Sequence, residues 1–210
     1  MHKIVKDFSK VVVVPDDGIR LPNEAEPKVR EKYAKEIEKV LITKGCIDAR
    51  IKCLAKEIDG AFRNVGEITC LVILKGGMFF AADLLRALDE QSDIRTRIDF
   101  IRCSSYGNRS KSSGKVDIYK FDPIEGNNLL LIEDIVDTGG TLRVLQEKLK
   151  DMGKHFKTCV LLDKGVAKGA KVDFIGFKIP RVFVGGYGLD YAGLYRGLPE
   201  IVVIKKELLK

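Results

Sequence analysis

The chain has 210 residues, 45% of them hydrophobic and 32% charged, the make-up of one ordinary globular domain rather than a disordered, collagen-like or repeat polymer. No apolar run nears the roughly 18 residues of a membrane span, and the N-terminal MHKIVKDFSK lacks the apolar stretch of a secretory signal. Five cysteines without a C-x-x-C pair argue against a disulfide framework or a zinc site and for a reducing, cytoplasmic setting, while a net charge of +7 fits either a lysine-rich soluble surface or a polyanionic partner: nucleic acid, an anionic membrane surface or a phosphorylated small molecule.

In chain order, a first aliphatic burst, Val11–Val14, precedes a Pro- and charge-rich stretch at 15–40 that reads as irregular. Ile47, Ile51, Leu54, Ala55, Ile58, Ala61 and Phe62 then fall on one face of a helix. Leu71–Leu74 reads as a strand, Phe79–Leu88 as a helix, and Ile98–Ile101 as a strand. Ser104–Lys120 breaks this rhythm. It is polar, rich in Ser, Gly and basic residues, and closes on the alternating Val116-Asp117-Ile118-Tyr119, so a long mobile loop running into an antiparallel strand is expected. Leu129–Ile132 is the next strand, followed by a helix with Leu142, Leu145, Leu149 and Met152 on one face, then strands at Cys159–Leu162, Val182–Val184 and Ile201–Ile204. Most bursts lack alternation, as strands buried on both faces do. Strand–helix–strand order predicts an α/β fold with a mostly parallel central sheet flanked by helices. No linker or repeat interrupts it, so residues 1–210 are read as one domain, with a small hood from about 1–40 and 180–210 and a mobile loop at about 104–120.

The strongest chemical signal is Leu129-Leu-Leu-Ile-Glu-Asp-Ile-Val-Asp-Thr-Gly-Gly-Thr-Leu142. A strand ends in Glu133 and Asp134, Asp137 follows, and Thr138-Gly139-Gly140-Thr141 leads into a helix. In open α/β sheets ligands bind at the carboxyl ends of strands, and glycines before a helix let backbone N–H groups close on an anion. Two threonine hydroxyls complete a phosphate cradle. Acids beside a phosphate repel it unless they accept from sugar hydroxyls or hold magnesium. A helix cap would explain Asp137 or Thr138 singly, but not three acids, two glycines and two threonines in nine positions. Neither G-x-x-x-x-G-K-[ST] nor G-x-G-x-x-G is present.

Glu133–Thr141 resembles the sugar-diphosphate motif of type I phosphoribosyltransferases. Leu74-Lys75-Gly76-Gly77, Ser104-Ser105-Tyr106-Gly107-Asn108, Lys164, and Val182-Phe-Val-Gly-Gly-Tyr-Gly-Leu-Asp190-Tyr191 with Arg196 resemble its 6-oxopurine branch, the hypoxanthine–guanine enzymes. The resemblance runs in order from about residue 40 to 204. It implies the family's fold, with its hood and mobile loop, and transfer of the phosphoribosyl group of 5-phosphoribosyl 1-diphosphate to a 6-oxopurine base with Mg2+, in a homodimer or homotetramer, with neither membrane nor nucleic acid as partner. The phosphoribosyl group is then held by Asp137, Thr138, Gly139, Gly140 and Thr141, with Glu133 and Asp134 at the ribose hydroxyls and magnesium. Asp137 is implied as general base or acid at purine N7. Lys75, Gly76, Ser105, Tyr106 and Arg196 are implied at pyrophosphate. Lys164 would donate to the 6-oxygen, Phe183 stack on the base, Val184 and Leu189 border it, and Asp190 hold a second magnesium through water. The family also has a cis peptide at the position of Leu74–Lys75. Three departures stand out: Ser104 where relatives often carry lysine nearby, Gly140 where several carry a larger residue, and glycines at both 186 and 188.

Three other readings share the scaffold. An RNA-binding regulator suits the +7 charge but has no need of Lys164, Phe183 and Asp190 together. A catalytically weakened paralogue has no need of an intact Asp137. A xanthine-preferring enzyme differs only in the base it takes.

Overall fold

The structure, a computed structural model, describes residues 1–105, 116–120, 123–166 and 169–209. Among the described residues twelve strands and three α-helices follow in order: β1 (Lys3–Ile4), β2 (Val12–Val13), β3 (Ile19–Arg20), β4 (Ile37–Ile42), α1 (Lys44–Phe62), β5 (Glu67–Leu74), α2 (Gly77–Gln91), β6 (Arg95–Ser105), β7 (Val116–Lys120), β8 (Asn128–Val136), α3 (Gly140–Asp151), β9 (His155–Asp163), β10 (Phe174–Lys178), β11 (Val184–Gly185) and β12 (Ile201–Ile204). Seven strands form one sheet in the order β2-β10-β9-β8-β5-β6-β7. All its neighbours are parallel except the antiparallel pair β6–β7. A second sheet, β1-β3-β4-β12-β11, is built only from segments near the two ends of the chain.

The central strands explain their own composition. Cys70, Val72, Leu130, Ile132, Cys159 and Leu161 pack with α1 and α2 on one face. Leu71, Ile73, Leu129, Leu131 and Val160 pack with Leu142, Leu145 and Leu149 of α3 on the other. A strand covered on both faces carries apolar residues at every position rather than every second one. Among the described residues no helix is long and apolar enough to cross a membrane.

Several expectations shift. The stretch read as irregular ends in β4, whose IEKVLI hides a strand behind Glu38 and Lys39. β10 was hidden by Gly176, where a Cβ would lie 2.5 Å from the Leu161 carbonyl oxygen, so only glycine fits against β9. The Val182–Val184 burst yields only Val184–Gly185 as strand. Ile98 and Phe100 lie toward the sheet's end and are exposed, and so are Met152 and Ala61, which periodicity had placed on buried faces. The long polar segment does run into the expected antiparallel strand, β7, but β6 reaches beyond Ile101 to Ser105 and pairs there with Val116. Residues 106–115, Tyr106 among them, lie outside the described residues, and with them the expected mobile loop.

Arg50 of α1 is fully buried. It donates to the carbonyls of Phe8, Ile175 and Gly176 at 2.8, 2.7 and 3.1 Å and pairs with Glu57 at 2.6 Å. The N-terminal segment and β10 are thereby clamped to α1 through a charge whose donors are matched by acceptors.

Candidate active site

The C-terminal ends of β5, β8 and β9 stand side by side in the sheet, so the loops that follow them converge. Glu133 and Asp134 are half-buried in the last part of β8. Burial, reinforced by the neighbouring Asp134 charge, pushes the Glu133 carboxyl up to about 8. Burial also pushes Asp134 up to about 6, against the pull of the Asp134 and Ile135 N–H groups and of Arg196. Adjacent, partly desolvated carboxyls are a site for a cation or for hydroxyl donors. A Cβ on Gly76 would fall 1.8 Å from Asp134 Oδ2, so the loop after β5 can rest on that carboxylate only with glycine at 76.

After β8 the chain turns through Asp137 and Thr138 to Gly139, whose φ of +79° suits glycine, and α3 starts at Gly140. The N-cap position of α3 is Gly139, which has no side chain to offer, so neither Asp137 nor Thr138 occupies the cap. The first-turn N–H groups face a cavity of about 120 Å³ lined by Glu133, Asp137, Thr138, Gly139, Gly140 and Thr141, among others. An uncapped helix N-terminus carries the positive end of the helix dipole. Asp137 is instead turned to Lys164: its Oδ2 accepts from the Lys164 ammonium at 2.8 Å. Lys164 follows β9, and its N–H donates to the Val136 carbonyl at 3.2 Å, which seats the loop after β9 beside the loop after β8.

On the other side, the Leu74–Lys75 peptide bond is cis, as the resemblance led us to expect. Lys75 is exposed and Gly76 buried. The segment from Gly186 to Arg196 lies against this loop. A Cβ on Gly188 would come 2.1 Å from the Gly76 carbonyl oxygen. Arg196 donates to the Gly188 carbonyl at 2.6 Å and pairs with Asp190 at 2.5 Å, while the other Asp190 oxygen accepts from the Gly193 N–H at 2.7 Å. Phe183 is 39% exposed and meets Tyr191 edge-on at 5.6 Å. Val184 is buried and pairs with Val203. Leu189 is buried in the main core, and it exchanges both backbone hydrogen bonds with Gly186. Ser105 ends β6, and Tyr106 lies outside the described residues.

The structure thus brings together Lys75–Gly76 with Asp134, Gly188 with Gly76, Arg196 with Asp190, and Lys164 with Asp137. Sequence reasoning named these residues but not their pairings. It quoted Tyr187 within a motif without a partner, and it passed over Asp83, whose signal is an acid on α2 between the apolar Phe80 and Leu84.

A family model for the phosphoribosyl transferase domain matches residues 42–192, and the chain belongs to that family. It is 42% identical over 175 residues to the hypoxanthine-guanine phosphoribosyltransferase of Bacillus subtilis, covering 81% of this chain and 94% of that one. It is 38% identical over 183 residues to the bifunctional protein TilS/HprT of Listeria innocua, covering 85% of this chain and 28% of that longer protein. A solved structure of Trypanosoma cruzi hypoxanthine phosphoribosyl transferase superposes with a TM-score of 0.76 at 36% identity, over 87% of this chain and 97% of that one. The architecture is the type I phosphoribosyltransferase fold.

Proposed function

We propose that this protein salvages purines in the cytoplasm as a homodimer or homotetramer. It transfers the 5-phosphoribosyl group of 5-phosphoribosyl 1-diphosphate to hypoxanthine or guanine, giving IMP or GMP and pyrophosphate. The observation that carries the reading is the Lys164–Asp137 pair, 2.8 Å apart beside the uncapped α3 N-terminus. In a 6-oxopurine, O6 and N7 lie on one edge of the ring. An ammonium and a carboxylate side by side match that edge: Lys164 donates to O6, and Asp137 faces N7. Adenine presents a donor where Lys164 needs an acceptor, and a site built for one hydrogen-bonding pattern rejects the other strongly. The regulator reading gives this pair no task.

The remaining residues are assigned the roles that the family resemblance implies, and their positions in the site support that reading. The Asp137–Thr141 backbone and the Thr138 and Thr141 hydroxyls bind the 5-phosphate at the helix N-terminus. Glu133 and Asp134 accept from the ribose hydroxyls. Phe183 stacks on the base and Val184 borders it, with Leu189 supporting that wall from the core. Lys75, Gly76 and Arg196 receive pyrophosphate, and Ser105 and Tyr106 are assigned to the same side. As N9 of the base bonds to C1 of the sugar, the C1–O bond breaks and its electrons leave with pyrophosphate. Asp137 takes the N7 proton. Closely held reactants and fixed charges at the leaving group supply the acceleration.

Among the described residues no group of three or more His, Cys, Asp or Glu side chains forms a metal cage. Magnesium does not require one, since it keeps several waters and takes one or two carboxylates together with substrate oxygens. Glu133 and Asp134 fit that donor set for one ion, and Asp190 fits a second held through water. Bound there, magnesium would neutralise the departing diphosphate.

The test is pyrophosphate release with hypoxanthine, guanine, xanthine and adenine, each with and without magnesium. Turnover of hypoxanthine and guanine, abolished by a chelator, is the expected result. Adenine turned over at a comparable rate would sink the base-site assignment.

A further inference from the structure

Tyr187 stands between Gly186 at φ +90° and Gly188 at φ +100°, and itself holds φ +48°. A bulky residue adopts that conformation only where its surroundings over-determine it. Those surroundings are specific. The ring is 3% exposed and lies 6.5 Å, centroid to centroid, from Phe79 of α2. The Tyr187 N–H donates to the Leu198 carbonyl at 2.7 Å. The hydroxyl donates to Asp83 Oδ2, also on α2, at 2.6 Å. Asp83 Oδ1 accepts from Arg86 at 2.9 Å, so each carboxylate oxygen has a donor.

The placement of this hydrogen bond matters. α2 begins at Gly77, directly after Lys75 and Gly76. Gly188, directly after Tyr187, presses on the Gly76 carbonyl and accepts from Arg196, which in turn holds Asp190. One side-chain bond therefore joins the helix that issues from the Lys75–Gly76 loop to the segment that presents Asp190 and Arg196. Val184, which borders the base, is held separately, by strand pairing with Val203.

We propose that Asp83 is a positioning residue which, through Tyr187, fixes the Lys75–Gly76 loop against the Gly188–Arg196 segment and so sets the width of the pyrophosphate site before ligand arrives. Asp83 touches no substrate. Its effect is preorganisation: a site already at the right width does not have to be ordered by the ligand. The proposal rests on the transferase reading, which wild-type turnover tests separately, and binding of inorganic pyrophosphate is read without turnover.

The experiment compares Asp83→Leu, Asp83→Asn, Tyr187→Phe and the double variant Asp83→Leu/Tyr187→Phe with the wild-type protein. It measures steady-state kinetics with hypoxanthine, calorimetric titration of pyrophosphate in magnesium, and melting temperature. Asp83→Leu and Tyr187→Phe should each raise the KM for the sugar diphosphate and the Kd for pyrophosphate about tenfold, the usual scale for a lost charge-assisted hydrogen bond. The KM for hypoxanthine should stay within about twofold. Asp83→Asn keeps an acceptor oxygen and should stay within about threefold on every constant. The double variant leaves no polar group stranded and should recover melting temperature relative to the single variants, yet retain the tenfold affinity defect. Unchanged pyrophosphate affinity in Tyr187→Phe overturns the proposal, and so does a double variant that recovers affinity along with stability, since Asp83 would then serve the fold alone. If Asp83→Leu does not fold, Tyr187→Phe, which keeps the ring packing, decides by the same split between the two KM values.

Discussion

Two glycine-rich segments meet at the site and are held in opposite ways. Asp137–Thr141 is local: it joins β8 to α3, its N–H groups point where the helix start directs them, and its cap residue, Gly139, has no side chain to cover them. Gly186–Arg196 is assembled from elsewhere: Gly188 leans on Gly76, Tyr187 reaches Asp83, and Arg196 bridges Gly188 and Asp190. The first keeps its donors free for an anion. The second makes most of its hydrogen bonds within itself, with one side-chain bond to α2. Chemistry should therefore be lost from the first segment without loss of fold, and from the second only along with local structure.

The largest effect that sharpens this contrast is Asp137→Asn. The carboxamide has the same shape and still accepts from Lys164, but it cannot take a proton. The expected result is a kcat about 10²–10⁴-fold lower, with nucleotide binding and melting temperature nearly unchanged. Single-turnover kinetics beside a nucleotide titration separate the two, and a near wild-type kcat would remove Asp137 from the proton transfer.

Gly188→Ala probes the other segment. The added methyl would fall 2.1 Å from the Gly76 carbonyl oxygen at a φ of +100°. Strain and overpacking of this kind cost at least about 2 kcal/mol. Denaturant unfolding should show that loss, and pyrophosphate affinity should fall with it. Full stability together with full affinity would mean that the two loops move apart freely, and the contrast would break.

Lys164→Gln falls between the two cases, because Lys164 is 27 residues from Asp137 yet is delivered to it by the adjacency of β8 and β9. A neutral amide in place of the ammonium should raise the KM for hypoxanthine about 10- to 100-fold, the worth of a charge-assisted hydrogen bond, and narrow the margin over adenine. Sugar-diphosphate KM should hardly move. If the hypoxanthine KM is unchanged, the lysine serves only to pair with Asp137.

How far the chain could be read from its residues follows the same division. Apolar runs at 71–74, 129–132 and 159–162 announced a doubly covered parallel sheet because every position of those runs except Leu74 lies in one of two cores. Glu133–Thr141 was legible because its chemistry lies in nine consecutive residues. β4 was not, since Glu38 and Lys39 sit within a strand of the smaller sheet. β10 was not, since Gly176 lowers strand propensity at the one place where β9 demands it. Asp83 and Tyr187 are 104 residues apart, and nothing local in either marks the other. Pattern reports what a residue does to its near neighbours; a pairing made by tertiary approach leaves only single residues of unexplained polarity.

The smallest expected effect comes from Gly140→Ala, and it tests whether the local segment is as free of mutual dependence as it looks. Gly140 is the first residue of α3, and a Cβ there would meet only Thr138 Oγ1, at 3.8 Å, an ordinary contact. Its φ is not in the left-handed region, unlike that of Gly139. Alanine restricts the unfolded chain and suits a helix better than glycine, so stability should rise by about 0.4–1 kcal/mol. The backbone N–H that faces the cavity is retained, so the KM for the sugar diphosphate should stay within about threefold. Urea unfolding and steady-state kinetics measure the two quantities on one preparation. A gain in stability with an unchanged KM leaves the cradle as a set of independent N–H donors. A KM raised tenfold or more would show that the methyl enters the phosphate's space and that the cradle, like the Gly188 contact, has been shaped around a missing side chain.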